Sequence, residues 1–215
     1  MRAVIYVGPS LPHELARKIL SADYRPPIKR GDLVHLYDEE DIVVGIIDGV
    51  FFSESAVGHR EILELINRGI KVIGGGSMGA LRASELCDFG MMGVGEIFRL
   101  YRSGVIEGDD EVALAFDPLT FCPLSEPLIN IRHNLENAVA HGIISSRDYE
   151  ELIKEIKKIY FPMRSYDLLK SIAATKLKQQ DYSRFLSYLE ENKKDLKRQD
   201  AELVVMTIKD LIGSL

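Results

Sequence analysis

Tryptophan is missing from this 215-residue chain, and cysteine occurs only twice, at Cys87 and Cys122. Two cysteines with no C-x-x-C pair and no nearby group of histidines exclude a disulfide framework and a structural zinc site, so both read as small buried hydrophobes. No run of about 18 apolar residues is present, and a membrane-spanning helix is not expected. The opening MRAVIYVGPS lacks the longer apolar stretch and small-residue cleavage site of an export signal, which makes the cytoplasm the expected location. A basic surplus is also missing. The formal charge of −6 argues against nucleic acid as a partner, because a phosphate backbone is met by a basic face. The locally basic stretches at 153–158 and 191–200 read as solvated helix faces. There is no Walker G-K-[ST] ending, no G-x-G-x-x-G followed by a well-placed acidic residue, and no metal-ligand cluster, so no cofactor is expected.

The chain does contain enough apolar residues, 46%, to bury a substantial core. Short apolar runs at 3–7, 33–36, 43–47, 71–73 and 111–116 read as strands, with helical segments at 12–20, 54–68, 80–86 and 96–102 and a loop at 90–95. Strands alternating with helices predict an α/β fold, a mostly parallel N-terminal sheet flanked by helices. Beyond residue 122 the pattern changes. Ile129, Leu135, Val139 and Ile143 recur at helical spacing, and further helices are expected at 146–159, 165–177, 182–191 and 197–212. The expected organisation is an α/β part over 1–122 and an all-helical region over 123–215 packed on it. Ser145 with Asp148 makes an imperfect capping box, and Asp181 is a candidate cap for the helix after it.

Ligands of open parallel sheets bind beyond the carboxyl ends of the strands. Three loops qualify: Gly8-Pro9-Ser10, Asp48-Gly49, and the glycine turn at 74–79. The last contains Gly75-Gly76-Ser77-Met78-Gly79, a G-x-S-x-G between a predicted strand and a predicted helix, which is the setting of a nucleophile elbow. Such a turn exposes the serine on a tight bend, and amides at the start of the next helix can hold an oxyanion. Two other readings stay open. Ser77 is well placed to N-cap the helix near Ala80, and a glycine loop can cradle phosphate. A serine nucleophile also needs a base, and His59, Lys71 and Lys197 are the candidates.

The chain is similar to the TfuA family over almost its whole length. The resemblance is carried by Gly8-Pro9-Ser10-Leu11, Arg30-Gly31-Asp32, Gly45-Ile46-Ile47-Asp48-Gly49, His59-Arg60-Glu61-Ile62-Leu63 and, most specifically, Ser77-Met78-Gly79-Ala80-Leu81-Arg82-Ala83. It continues through Phe89-Gly90-Met91, Asp109-Asp110-Glu111-Val112-Ala113, Pro123-Leu124-Ser125-Glu126 and Asn130-Ile131-Arg132. The resemblance implies a partner of a YcaO-type enzyme, which activates a peptide amide with ATP so that sulfur can replace its oxygen. It further implies a ThiS-like ubiquitin-fold carrier whose C-terminal thiocarboxylate supplies the sulfur, and a Ser-Lys pair that releases it. By this resemblance Ser77 matches the serine, and Lys197, in Lys197-Arg198-Gln199-Asp200-Ala201, matches the lysine of a late K-R-x-D-A segment. Asp48, Gly49, Gly76, Met78, Gly79, His59 and Arg82 are the expected supporting or oxyanion residues. Many relatives carry His-Lys-Glu where this chain has His59-Arg60-Glu61, and an arginine there cannot serve as a base. A non-catalytic YcaO-binding module and a general serine esterase or peptidase are the alternative classes.

Overall fold

The structure, a computed structural model, describes residues 1–50 and 55–213. These divide into two compact units, Met1–Asp109 with Lys197–Leu215, and Asp110–Leu196. The sequence reading groups the closing helix with the helical region, whereas the compact units place it with the sheet.

The first unit holds β1 (Arg2–Tyr6), α1 (His13–Ile19), β2 (Asp23–Arg25), β3 (Ile42–Ile46), α2 (His59–Asn67), β4 (Lys71–Gly74), α3 (Met78–Leu86), β5 (Met92–Gly93) and α4 (Glu96–Arg102). The five strands pair in parallel in the order β2-β1-β3-β4-β5. Alternation along the strands sorts their side chains to two faces. Val4, Tyr6, Val44, Ile46 and Val72 join Ile62 and Leu65 of α2 and Ala83 and Leu86 of α3 in one core. Ala3, Ile5, Val43 and Ile73 face the other way and meet Ala16 of α1. That second face is completed by the last helix of the chain, α9, counted after the four of the second unit (Leu196–Gly213). Ala201, Val204, Val205 and Ile208 of α9 recur at helical spacing and are fully buried on the sheet. Burying each valine or isoleucine contributes about 1.5–3 kcal/mol, so α9 is bound to the sheet by its sequence pattern.

The second unit carries α5 (Leu128–Ala140), α6 (Ser146–Lys157), α7 (Tyr166–Lys176) and α8 (Gln179–Asn192) around its own core of Leu135, Leu152, Ile156, Leu169 and Phe185. Ser145 and Asp148 form the capping box at the start of α6. The buried Glu111 carboxylate pairs with Arg132 at 2.8 Å and with Lys157 at 3.3 Å. No helix among the described residues is long and apolar enough to cross a membrane.

The sequence predicts a mostly parallel N-terminal sheet flanked by helices and a helical region after it, and the structure has a five-stranded parallel sheet with a helical region, but several elements differ. The strand expected at 33–36 is a 3₁₀ turn, Val34–Leu36. Leu36 in the turn and Leu33 at its N-cap position are buried, a three-residue spacing that suits a 3₁₀ turn, with Val34 half exposed. The second strand is instead Asp23–Arg25, a polar edge segment without an apolar run to announce it. The strand expected at 111–116 is irregular chain that pairs locally, with Leu124 N–H donating to the Ala115 carbonyl at 2.8 Å and a single bridge between Phe116 and Pro123. The loop at 90–95 contains the short strand β5. The helix expected over 54–68 begins at His59, and Glu54 lies outside the described residues. Asp181 sits in the first turn of α8, whose cap position is Lys178.

Candidate functional site

The strand order makes β1 and β3 neighbours whose connections leave in opposite directions, and the crevice beyond their carboxyl ends is where doubly wound sheets bind ligands. Asp48 stands there, two residues past the end of β3, and its carboxylate gathers the loop after β1. One oxygen accepts the backbone N–H groups of Gly8 and Ser10, each at 2.9 Å, and the other accepts the Ser10 hydroxyl at 2.6 Å. The same oxygen that takes the Ser10 hydroxyl lies 3.9 Å from Nζ of Lys197, in the first turn of α9. Ser10, Asp48 and Lys197 are all buried.

The glycine turn ends β4 next to this cluster. Gly76 has φ +72°, and a Cβ placed on it would lie 3.4 Å from the Lys197 carbonyl oxygen and from the Ala201 nitrogen. The backbone of the serine turn therefore runs against the first turn of α9. Ser77 follows at the N-cap position of α3, with φ −148° and ψ −120°, and is 1% exposed. The expectation of an exposed serine on a tight bend is corrected by this burial: Gly76 presses on α9, and Met78, itself buried, packs against Gly49. The Ser77 hydroxyl makes no capping hydrogen bond, although its carbonyl accepts Ala80 N–H at 2.9 Å. Ser77 occupies a cap position without its side chain acting as a cap.

The expected oxyanion residues separate. The Gly79 N–H donates to the Ile47 carbonyl at 3.0 Å, and the Ser77 N–H to the Gly75 carbonyl at 2.8 Å, so both donors are committed within the fold. The Gly76 and Met78 N–H groups make no hydrogen bond among the described residues. Gly49 bridges to Ile28 on the loop after β2. His59 and Arg82 converge elsewhere, both on Glu85, at 2.8 and 2.7 Å, and Arg82 also donates to the Val57 carbonyl. Lys71 opens β4 whereas Gly74 closes it, which puts Lys71 at the opposite end of the sheet from the serine turn.

Residues 48–165, more than half of the chain, match the protein family described as TfuA-like protein. The chain belongs to that family. No protein of curated function matches it. Within this TfuA-like chain the matched span includes Asp48 and the whole serine turn, while Ser10 and Lys197 lie outside it. Among the described residues no group of three or more histidine, cysteine, aspartate or glutamate side chains is arranged to hold a metal ion.

Sequence reasoning missed Ser10 as a partner of Asp48, and it missed Asp200. The Asp200 carboxylate, three residues along α9 from Lys197, accepts the Glu96 and Ile97 N–H groups at 3.0 and 2.7 Å and so caps α4 from outside. Burial raises its pKa above the usual carboxylate value, against the two N–H bonds that lower it. A signal existed in Gly95, whose φ of +96° and lack of a Cβ make room for the Asp200 carboxylate.

Proposed function

We propose that this TfuA-like protein hydrolyses the C-terminal thiocarboxylate of a ThiS-type ubiquitin-fold carrier, delivering sulfide to a YcaO-type enzyme for peptide backbone thioamidation. The observation that carries the reading is the position of Lys197. Remote in sequence from Ser77, it is buried at the same carboxyl edge of the sheet, with its backbone against Gly76 and its amine beside Asp48.

In the reaction, the Ser77 hydroxyl gives its proton to Nζ of Lys197 as Oγ attacks the thiocarboxylate carbon. The Gly76 and Met78 N–H groups are the donors left for the oxygen of the tetrahedral intermediate. Collapse of that intermediate breaks the carbon–sulfur bond, and the proton held by Lys197 passes to sulfur, which departs as hydrosulfide. Water then attacks the acyl-serine and Lys197 takes its proton; collapse of the second intermediate breaks the bond to Ser77 Oγ, which recovers its proton from Lys197, and the carrier leaves with an ordinary carboxylate. A glycine-ended tail suits so enclosed a site, because it has no side chains to accommodate.

Ser77→Ala, Lys197→Ala and the double variant should each lose about 100-fold or more in sulfide release from a thiocarboxylated carrier, without additivity, because the two groups act as one unit. Lys197→Arg should fail as well, since a guanidinium keeps the charge but takes no proton at accessible pH. Sulfide release measured on all four variants, with folding checked by circular dichroism, is the test. Near-normal turnover by Ser77→Ala removes the nucleophile and with it the reading; near-normal turnover by Lys197→Arg removes the base.

A further inference from the structure

We infer that Asp48 is the positioning residue for Lys197, and that Ser10 sets how much of the Asp48 charge Lys197 feels. This rests on the Ser77–Lys197 reading and adds to it a third and a fourth residue.

The argument begins with the three hydrogen bonds on Asp48. Donors from Gly8 and Ser10 approach both carboxylate oxygens, so the group is held in one orientation rather than free to rotate. A loop tie alone would be served by a neutral amide or a water. What the tie does not account for is the approach of Nζ of Lys197 to the oxygen shared with the Ser10 hydroxyl, with both side chains almost wholly shielded from water. At 3.9 Å the contact is longer than an N–H···O hydrogen bond of 2.7–3.2 Å, yet in a buried setting two opposite charges at that distance interact strongly. Asp48 therefore acts on Lys197 through its field, without clamping the amine in a fixed hydrogen bond.

That geometry suits a proton relay. When Lys197 takes the Ser77 proton it becomes an ammonium ion in a buried place, and the Asp48 carboxylate offsets the charge at that moment. The arrangement parallels the role of a buried carboxylate behind a catalytic imidazole, where the acid orients and stabilises but does not itself take the proton. The other charged groups of the first unit on this helix turn are engaged elsewhere: Arg198 pairs with Glu202, and Asp200 takes the α4 backbone. Asp48 brings a buried carboxylate oxygen to 3.9 Å from the amine.

The test is a pH titration of the whole chain carrying [13Cε]lysine, with the Lys197 signal assigned by its loss in Lys197→Arg. Asp48→Asn should move the Lys197 midpoint down by about one pH unit or more, because it removes the charge that favours the ammonium form. Ser10→Ala takes a donor away from the oxygen that faces Nζ, so the carboxylate acts more fully on Lys197 and the midpoint should move up. These opposite signs are not expected of a merely structural tie. If Asp48→Asn does not fold, Ser10→Ala decides alone, and an unmoved midpoint overturns the inference. With activity as a second readout, Asp48→Asn should lower kcat at least 10-fold with KM changed less than about 3-fold, and should shift the acid limb of the pH profile. A loss of kcat with the limb and the midpoint unchanged also overturns it. Because the titration needs no substrate, an active Ser77→Ala variant would sink the proposed reaction while leaving the Asp48–Lys197 coupling measurable on its own.

Discussion

At Gly79 a single added methyl carbon would sit 1.7 Å from the Ile46 carbonyl oxygen, a backbone atom of β3 with nowhere to go. Gly76, three residues earlier, is constrained differently: its φ of +72° disfavours any L side chain, but the nearest atom to an added Cβ is the Ile47 Cγ2 at 3.1 Å. Gly79→Ala should therefore cost at least about 3 kcal/mol of folding stability, the upper end for single substitutions, and Gly76→Ala roughly 1–2 kcal/mol. Urea unfolding of both variants checks the order, and equal costs would contradict it. The G-x-S-x-G pattern fixes Gly79 and leaves Gly76 at a variable position, so it marks the turn but not what each glycine approaches. The same limit governs the site. Ser77 and the three loops are legible because glycine and polar residues at strand ends announce them, whereas Lys197 is one of three candidate bases until the resemblance singles it out. The tie from Asp48 to Gly8 and Ser10 spans about 40 residues of sequence, and no local pattern encodes such a pairing.

Among the elements, α9 binds the first unit by two means, an apolar stripe on the sheet and the Asp200 carboxylate on the N-terminus of α4. Removing that cap with Asp200→Ala strands two N–H donors and should cost about 0.5–2 kcal/mol. Its pH dependence has a definite sign. Burial raises the folded-state pKa of Asp200, so the folded protein holds this proton to higher pH than the unfolded chain does. The contribution is complete below the unfolded value of about 3.9 and is lost as pH rises through the raised folded value. Urea denaturation from about pH 3.5 to 7 should show the stability of the wild type relative to Asp200→Asn falling as pH rises. A difference that grows with pH would show the opposite linkage. Helices were the most legible elements. α4 matches its expected bounds at 96–102, and α6 starts at its expected residue with its capping box in place. Strands were less so, because β2 and β5 are short edge segments of three and two residues. An apolar run such as Val112 to Leu114 can be buried without forming a strand.

At the scale of the whole chain, the helical unit is an insertion: the chain leaves the sheet's unit after Asp109 and returns at Lys197, the proposed base. The two units have separate cores, one on each face of the sheet in the first and one among α5 to α8 in the second. Separate cores need not unfold as one, and local stability then follows which core an element belongs to. α9 is the informative case, since it directly follows α8 in sequence but buries Val204, Val205 and Ile208 on the sheet. Phe185 is the large, fully buried aromatic of the helical core, and Phe185→Ala leaves a cavity worth about 3–5 kcal/mol. Hydrogen exchange of that variant, followed by mass spectrometry, should show lost protection across α5, α6, α7 and α8. Peptides from β1, β3, β4 and the segment 203–212 should keep theirs, because the contacts that hold α9 are with the strands. Loss of protection in α9 together with α8 would mean that the closing helix belongs energetically to the helical unit. Lys197 would then be positioned by the helical unit's stability rather than by the sheet, and destabilising that unit would weaken the base along with it.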